Sequence, residues 1–121
     1  MSLQHENGRW GEDLALEYLV RQGIEILHRN WRYKRAEIDV IGKEAGILVF
    51  IEVKTRSGIS FGRPEEMVSP RKRLLIISAA SAYMYQTGHE AEVRFDIISV
   101  IGEPGKPPEI QHFRDAFYPG Q

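Results

Sequence analysis

The sequence contains no cysteine. A disulfide scaffold and a zinc–thiolate centre are therefore excluded. Long hydrophobic runs are missing too. The longest apolar stretch, Gly46 to Ile51, falls far short of the roughly 20 residues that a membrane-spanning helix needs. Met1 to Arg9 lacks the apolar core of a secretory signal, so a cytoplasmic location and no membrane partner are expected. Neither charge sign is in excess: 16 Lys+Arg face 17 Asp+Glu, a formal net charge of −1. No phosphate-binding glycine motif of the P-loop or dinucleotide type is present. Ser60, Ser78 and Ser81 have no nucleophile-elbow context, which disfavours a serine hydrolase. His5, His28, His89 and His112 show no metal-ligand spacing and read as surface or structural residues.

What is present is an ordinary globular composition, 42% hydrophobic and 27% charged over 121 residues. A chain of this length supports one domain, 1–121, that buries about two-thirds of its unfolded surface. About seven residues at the start and four at the end are expected to be flexible termini.

Gly8 to Gln22 reads as a helix, with Trp10, Leu14, Tyr18 and Leu19 at helical spacing opposite Arg9, Asp13 and Glu17, and with Gly23 as its stop. Ile24 to Tyr33 is extended, and Lys34-Arg35 is a turn. Glu37 to Ile41 is a strand, and Gly42 to Gly46 is a loop. Ile47 to Lys54 starts as a continuous apolar run, the mark of a central strand, and turns polar towards its C-terminal end. Thr55 to Val68 is a glycine-containing loop, its 57–64 part expected to be mobile. Ser69-Pro70 opens a second helix as N-cap and first helical residue, and Gly88 closes it. On that helix Leu74, Ile77, Ser78, Ser81 and Met84 are expected on one face. Glu92 to Ile101 is a strand and Glu109 to Phe113 a short edge strand. The order α-β-β-β-α-β-β predicts an α/β sandwich around a mixed sheet.

The chemistry-bearing segment is Glu37-Ile38-Asp39-Val40-Ile41 followed by Ile51-Glu52-Val53-Lys54. Period-two alternation places Glu37 with Asp39, and Glu52 with Lys54, each pair on one face of its strand. A short turn joins the strands, so they are expected as antiparallel neighbours that bring the acids together. Two carboxylates on a strand of Val, Ile and Phe are costly without compensating positive charge. A divalent cation of the Mg²⁺ or Mn²⁺ type compensates them through hard oxygen ligands. Lys54 would then lie beside the metal, positioned to orient or deprotonate a water or to stabilise phosphate charge. The plainer reading is a cross-strand ion pair.

These residues resemble the PD-(D/E)XK nuclease superfamily, with Asp39, Glu52 and Lys54 at its motif positions and Ile38 where the label has proline. The chain is similar, more closely, to the YraN family of small bacterial endonuclease-related proteins. The likeness runs from about Gly8 to Phe117. It is carried by Gly8-Arg9-Trp10-Gly11-Glu12, Ala15, Asn30-Trp31-Arg32, the two strands above, Thr55-Arg56, Phe61-Gly62, Lys72 and Arg94-Phe95-Asp96. It implies a restriction-endonuclease-like sandwich and a metal-dependent endonuclease acting on DNA, or on branched or single-stranded nucleic acid. The alternative is a catalytically silent nucleic-acid-binding factor in repair or recombination. It further implies Asp39, Glu52 and the Val53 carbonyl as metal ligands, Lys54 as the catalytic lysine, and Glu12 as an acid that joins the site from the first helix. Glu37 is either a supporting acid or a surface residue.

The near-zero total charge conceals blocks of opposite sign. Residues 21–36 carry Arg21, Arg29, Arg32, Lys34 and Arg35 against Glu25, a net +4. Residues 54–73 carry Lys54, Arg56, Arg63, Arg71, Lys72 and Arg73 against Glu65 and Glu66, again +4. The remaining blocks, 1–20, 37–53 and 74–121, carry −3 each. Two basic segments thus flank the acidic strands, as a phosphate track would. Arg32, Arg56, Arg71, Lys72 and Arg73 are the candidate nucleic-acid contacts. Arg71 to Arg73 fall in a helix's first turn, where the dipole disfavours cations and welcomes anions. Trp31 is expected in the core rather than stacked on a base. A homodimer is compatible with so small a footprint.

Overall fold

The computed structural model describes residues 3–56, 64–102 and 105–120, apart from the side chains of 3–8 and 64–65. Helix α1 (Leu3–Arg21) leads into three strands, β1 (Glu25–Tyr33), β2 (Ala36–Glu44) and β3 (Ile47–Arg56). A single turn, α2 (Pro64–Met67), and helix α3 (Pro70–Thr87) follow, and strands β4 (Val93–Ile101) and β5 (Glu109–Phe117) complete the chain. The five strands lie in chain order. The β3–β4 pair is parallel and the other three are antiparallel. The result is the expected mixed-sheet α/β sandwich.

β3 explains the layering. It sits mid-sheet, with both faces covered, so its apolar run needs no alternation. Leu48 and Phe50 join Ile38, Ile41, Phe95, Ile97 and the buried α3 residues in one core. Val49 and Ile51 join Ala15 and Leu19 of α1, with Val40, Ile98 and Val100, in the other. Among the described residues no helix is long and apolar enough to cross a membrane.

Local rules hold at most boundaries. Ser69 Oγ accepts the Lys72 N–H at 3.2 Å, Pro70 follows it, and Gly88 caps α3 at φ 70° with its N–H bonded to the Met84 carbonyl. Several elements differ from expectation, among them β3, which runs on through Thr55-Arg56, and α2, which forms inside the span read as a loop. α1 begins at Leu3, a turn or more before Gly8. β2 runs on to Glu44 through Gly42, so that glycine is a close-packing position and not a loop: a Cβ there would meet Ile24 Cγ2 at 2.7 Å. The turn is instead Ala45-Gly46, both at positive φ, as a tight hairpin requires. β5 reaches Phe117 because that ring is buried against Phe95, their centroids 5.2 Å apart. In α3 the buried face is Ile76, Ala79, Ala80 and Tyr83, whereas Leu74, Ser78 and Ser81 face solvent. Small alanines mark the side where the helix lies close to the sheet. Trp31 packs where expected, edge-on to Tyr83 at 5.3 Å beside the α3-side core. The glycine-containing loop expected over 57–64 falls mostly outside the described residues.

Candidate active site at the β2–β3 seam

The β2–β3 ladder runs from Glu44 opposite Ile47 to Val40 opposite Ile51 and stops there. Asp39 and Glu52 are the next residues along each strand. Where the backbone pairing ends, the Asp39 side chain takes it over: the Val53 N–H donates to Asp39 Oδ2 at 2.8 Å. A carboxylate thus replaces a main-chain acceptor and is held between the strands. The expected antiparallel pairing does bring the acids together, and their carboxyl groups touch.

The environment of this pair is dry and acidic. Glu52 is 3% exposed. Burial first, and then contact with Glu52, push the Asp39 carboxyl up to about 8, against the lowering effect of the Val53 N–H and of Lys72. Glu12 of α1 is close enough to feel the Asp39 charge. Its carboxyl is raised by burial and then by Asp39, while Arg29, 3.7 Å away, opposes the rise. The acid expected from the first helix is therefore near the pair. Gly11 lets α1 come this close, since a Cβ at that position would lie 1.9 Å from Thr55 Oγ1 on β3.

Two lysines compensate the acids. Lys54, further along β3, is held below the usual lysine range by burial and then by the Lys72 charge, with Glu52 and Asp39 pulling the other way. Lys72, from the first turn of α3, forms an ion pair with Glu52 Oε2. Burial works against its charged form, but Glu52 and Asp39 prevail and raise it. The sequence placed Lys72 in a basic helix start, as a candidate nucleic-acid contact. The signal for its real position was that a cation at a helix N-terminus needs an anionic partner nearby. That partner is within the protein.

The remaining basic candidates separate. Arg71 and Lys72 line a cleft of about 360 Å³ together with Arg35, Ala36, Glu37, Asp39, Ser69, Leu75 and Ile76. Arg35, read as a turn residue of the first basic block, lines the cleft. Glu37 borders the cleft and holds Arg32, whose Nε is 2.9 Å from Glu37 Oε2 while its side chain stays 79% exposed. Arg56 ends β3, exposed, two residues beyond Lys54. Arg73 is drawn elsewhere: its Nε donates to the Val68 carbonyl at 3.0 Å and its guanidinium lies over the Phe117 ring.

The donor set fits a divalent cation in one respect. Glu52 Oε1 is buried with neither a hydrogen bond nor an ion pair among the described residues, while Glu52 Oε2 and Glu12 Oε1 have ion-pair partners but no hydrogen bond; native proteins rarely leave such an oxygen unmet. No cluster of three or more ligand-type side chains occurs among the described residues. A cation here would have the Asp39–Glu52 pair as its protein ligands, and Mg²⁺ is one that binds through one or two carboxylates and keeps waters or phosphate oxygens.

A second buried polar cluster lies on the α1 side of the sheet. Asp96, fully buried, accepts from Arg94 Nε at 2.8 Å, from His112 Nε2 at 2.7 Å and from the Asp115 N–H at 3.0 Å. An ionised carboxylate only accepts, so His112 donates through Nε2, and its Nδ1 lies 3.1 Å from the Tyr18 hydroxyl. His112 is structural, as expected.

Residues 11–100 match the uncharacterised protein family UPF0102. A UPF0102 protein of Flavobacterium psychrophilum is 45% identical over 118 residues, 98% of each chain. One from Chlorobium phaeobacteroides is 44% identical over 119 residues, covering 93% of this chain and 94% of its own. One from Rhodococcus jostii is 44% identical over 111 residues, with 91% and 94% covered.

Proposed function

The chain belongs to the UPF0102 family, and we propose that it is a divalent-metal-dependent phosphodiesterase that cleaves nucleic acid, DNA first among the candidates. One observation carries this reading. Two carboxylates, Asp39 and Glu52, touch at the point where β2 and β3 part, beside Lys54 and a cleft with basic residues on its rim. A structural ion pair needs neither two touching acids nor an open cleft. The resemblance to PD-(D/E)XK nucleases and to the YraN family leads to the same chemistry.

On this reading Asp39 and Glu52 hold Mg²⁺ or Mn²⁺, and the carbonyl of Val53, whose N–H fixes Asp39, is a third donor. The metal supplies charge stabilisation at a phosphoryl oxygen and a more acidic water. Lys54 would orient a water there, and burial together with the Lys72 charge makes its Nζ easier to deprotonate than an ordinary lysine. Glu12 steadies the water from the α1 side. Arg35 and Arg71 neutralise the phosphates to either side of the scissile one, and Arg32 and Arg56 extend the track.

The test incubates the protein with labelled single-stranded, duplex and branched DNA and with RNA, in Mg²⁺ and in Mn²⁺. Cleavage is expected for the wild type and abolished in Asp39→Asn and Glu52→Gln. Lys54→Met is expected to retain binding and lose roughly 10² to 10⁴ in rate. Asp39→Asn keeps an acceptor for the Val53 N–H, so its melting temperature in metal-free buffer should not fall. Equal cleavage by all variants would overturn the assignment. Tight binding with no cleavage in either metal would favour a non-catalytic nucleic-acid-binding factor.

A further inference from the structure

We propose that Lys72 is the resident counter-cation of the acidic pair: it occupies Glu52 while the metal is absent, and metal binding releases its ammonium into the cleft, where it takes the substrate phosphate. This rests on the metal-site reading above and adds to it an order of events and a coupling between metal and nucleic acid.

Glu52 is the reason a counter-cation is needed. A carboxylate almost wholly shielded from water cannot stay ionised unpaired. The Lys72 ammonium is its ion-pair partner. Lys72 is also built to leave. Its side chain is 43% exposed, against 2% for that of Glu52, so it stands at the boundary between the buried acid and the open cleft that it lines. Its stem is long and flexible. Its backbone is fixed independently of the side chain, through the N–H bonded to Ser69 Oγ. The ammonium can therefore move several ångströms without disturbing the helix.

The other cations are not equivalent. Lys54 lies on the central strand, beside Lys72 and the acids. Arg73 is committed to the Val68 carbonyl and the Phe117 ring. Arg71 lines the cleft but is not among the groups that act on the Asp39 carboxyl, whereas Lys72 is.

Charge counting gives the direction. Asp39 must shed its proton to act as a ligand; with both acids ionised and both lysines charged, the cluster sums to zero. A divalent cation raises the cluster to +2 and places like charge against both lysines. The mobile lysine is the one expelled, and the surplus of +2 is what a phosphodiester backbone satisfies. Metal and nucleic acid then strengthen each other's binding, as linkage requires.

Calorimetry with Mn²⁺ alone tests this on the metal-free full-length chain. Lys72→Met is expected to bind Mn²⁺ at least roughly tenfold more tightly than the wild type, because the competing charge at contact distance is gone. Arg71→Met removes a charge from the same helical turn but not from Glu52, and should change Mn²⁺ affinity by no more than about twofold. A wild-type measurement covers the case in which Lys72→Met folds poorly. The rate of reductive methylation at Lys72, followed by mass spectrometry, should rise on adding Mg²⁺. Affinity for a phosphorothioate oligonucleotide should increase with Mg²⁺ in the wild type and gain much less in Lys72→Met. Mn²⁺ binding that is equal or weaker in Lys72→Met, or methylation indifferent to Mg²⁺, overturns the proposal and leaves the metal site standing. Absence of Mn²⁺ binding in every protein overturns both.

Discussion

At the residue scale, the protein contains two acids in opposite circumstances. Asp39 is poorly solvated and faces another acid, so its carboxyl is raised to about 8. Asp96 is fully buried, more so than the half-buried Asp39, and burial alone would raise it as well. Its hydrogen bonds from His112, Arg94 and the Asp115 N–H outweigh burial and hold it below the usual carboxylate range. The first is unstable as built and reads as a site. The second is satisfied and reads as structure. The sign of the linkage follows for Asp96. A depressed folded-state pKa contributes stability that is fully present above the unfolded value near 4 and is lost as pH falls through the folded value. Thermal melts are therefore expected to show an acid limb below about pH 4. Asp96→Asn should weaken that limb and lower stability at pH 7 by roughly 3 kcal/mol, since Arg94 loses a buried partner. An unchanged acid limb would assign the acid sensitivity to other carboxylates.

At the element scale, the close approach of α1 to β3 decides whether Glu12 reaches the seam. Gly11 packs on Thr55 with no room for a methyl group. Gly11→Ala gains helix propensity on α1 and would normally stabilise a helix by up to about 1 kcal/mol. Here overpacking wins, and a net loss of roughly 1–3 kcal/mol is expected from chemical denaturation. Thr55→Ala in the same chain removes Oγ1 and Cγ2 and should restore part of it. Stabilisation by Gly11→Ala alone would show that α1 moves away freely. Element types were legible in the sequence because their signals are local: Ser69-Pro70, Gly88, Gly23 and the apolar run of β3. The phase of α3 was not. Its apolar residues lie on both sides, and the sheet-facing side is marked by Ala79 and Ala80, which carry little hydrophobic contrast. Gly42 misled for a related reason, since a close-packed glycine and a turn glycine look alike in one dimension.

At the scale of the whole molecule, a formal charge of −1 is the remainder of segregated blocks. The fold brings part of both basic blocks to one cleft, Arg35 from the first and Arg71 and Lys72 from the second, against the acids of β2 and β3. Binding to duplex DNA should therefore weaken with salt, with a log–log slope of about −0.9 for each phosphate neutralised. Arg71→Ala should reduce that slope by about one unit. Fluorescence anisotropy across a salt series measures it, and a flat profile would argue against a phosphate track.

The sequence by itself determined the order of elements, the central strand, the helix caps and the meeting of Asp39 with Glu52. Each follows from short-range periodicity or from the adjacency of two strands joined by a short turn, although their exact register waited on the Ala45-Gly46 turn. Only the tertiary structure decided that Lys72 answers Glu52, that Arg35 borders the cleft while Arg73 turns away, and that Asp96 is paired with Arg94 and His112. Those relations join residues from separate elements. Each depends on which helix face meets the sheet and on how closely the backbones approach, and a pattern along the chain carries no distance between elements.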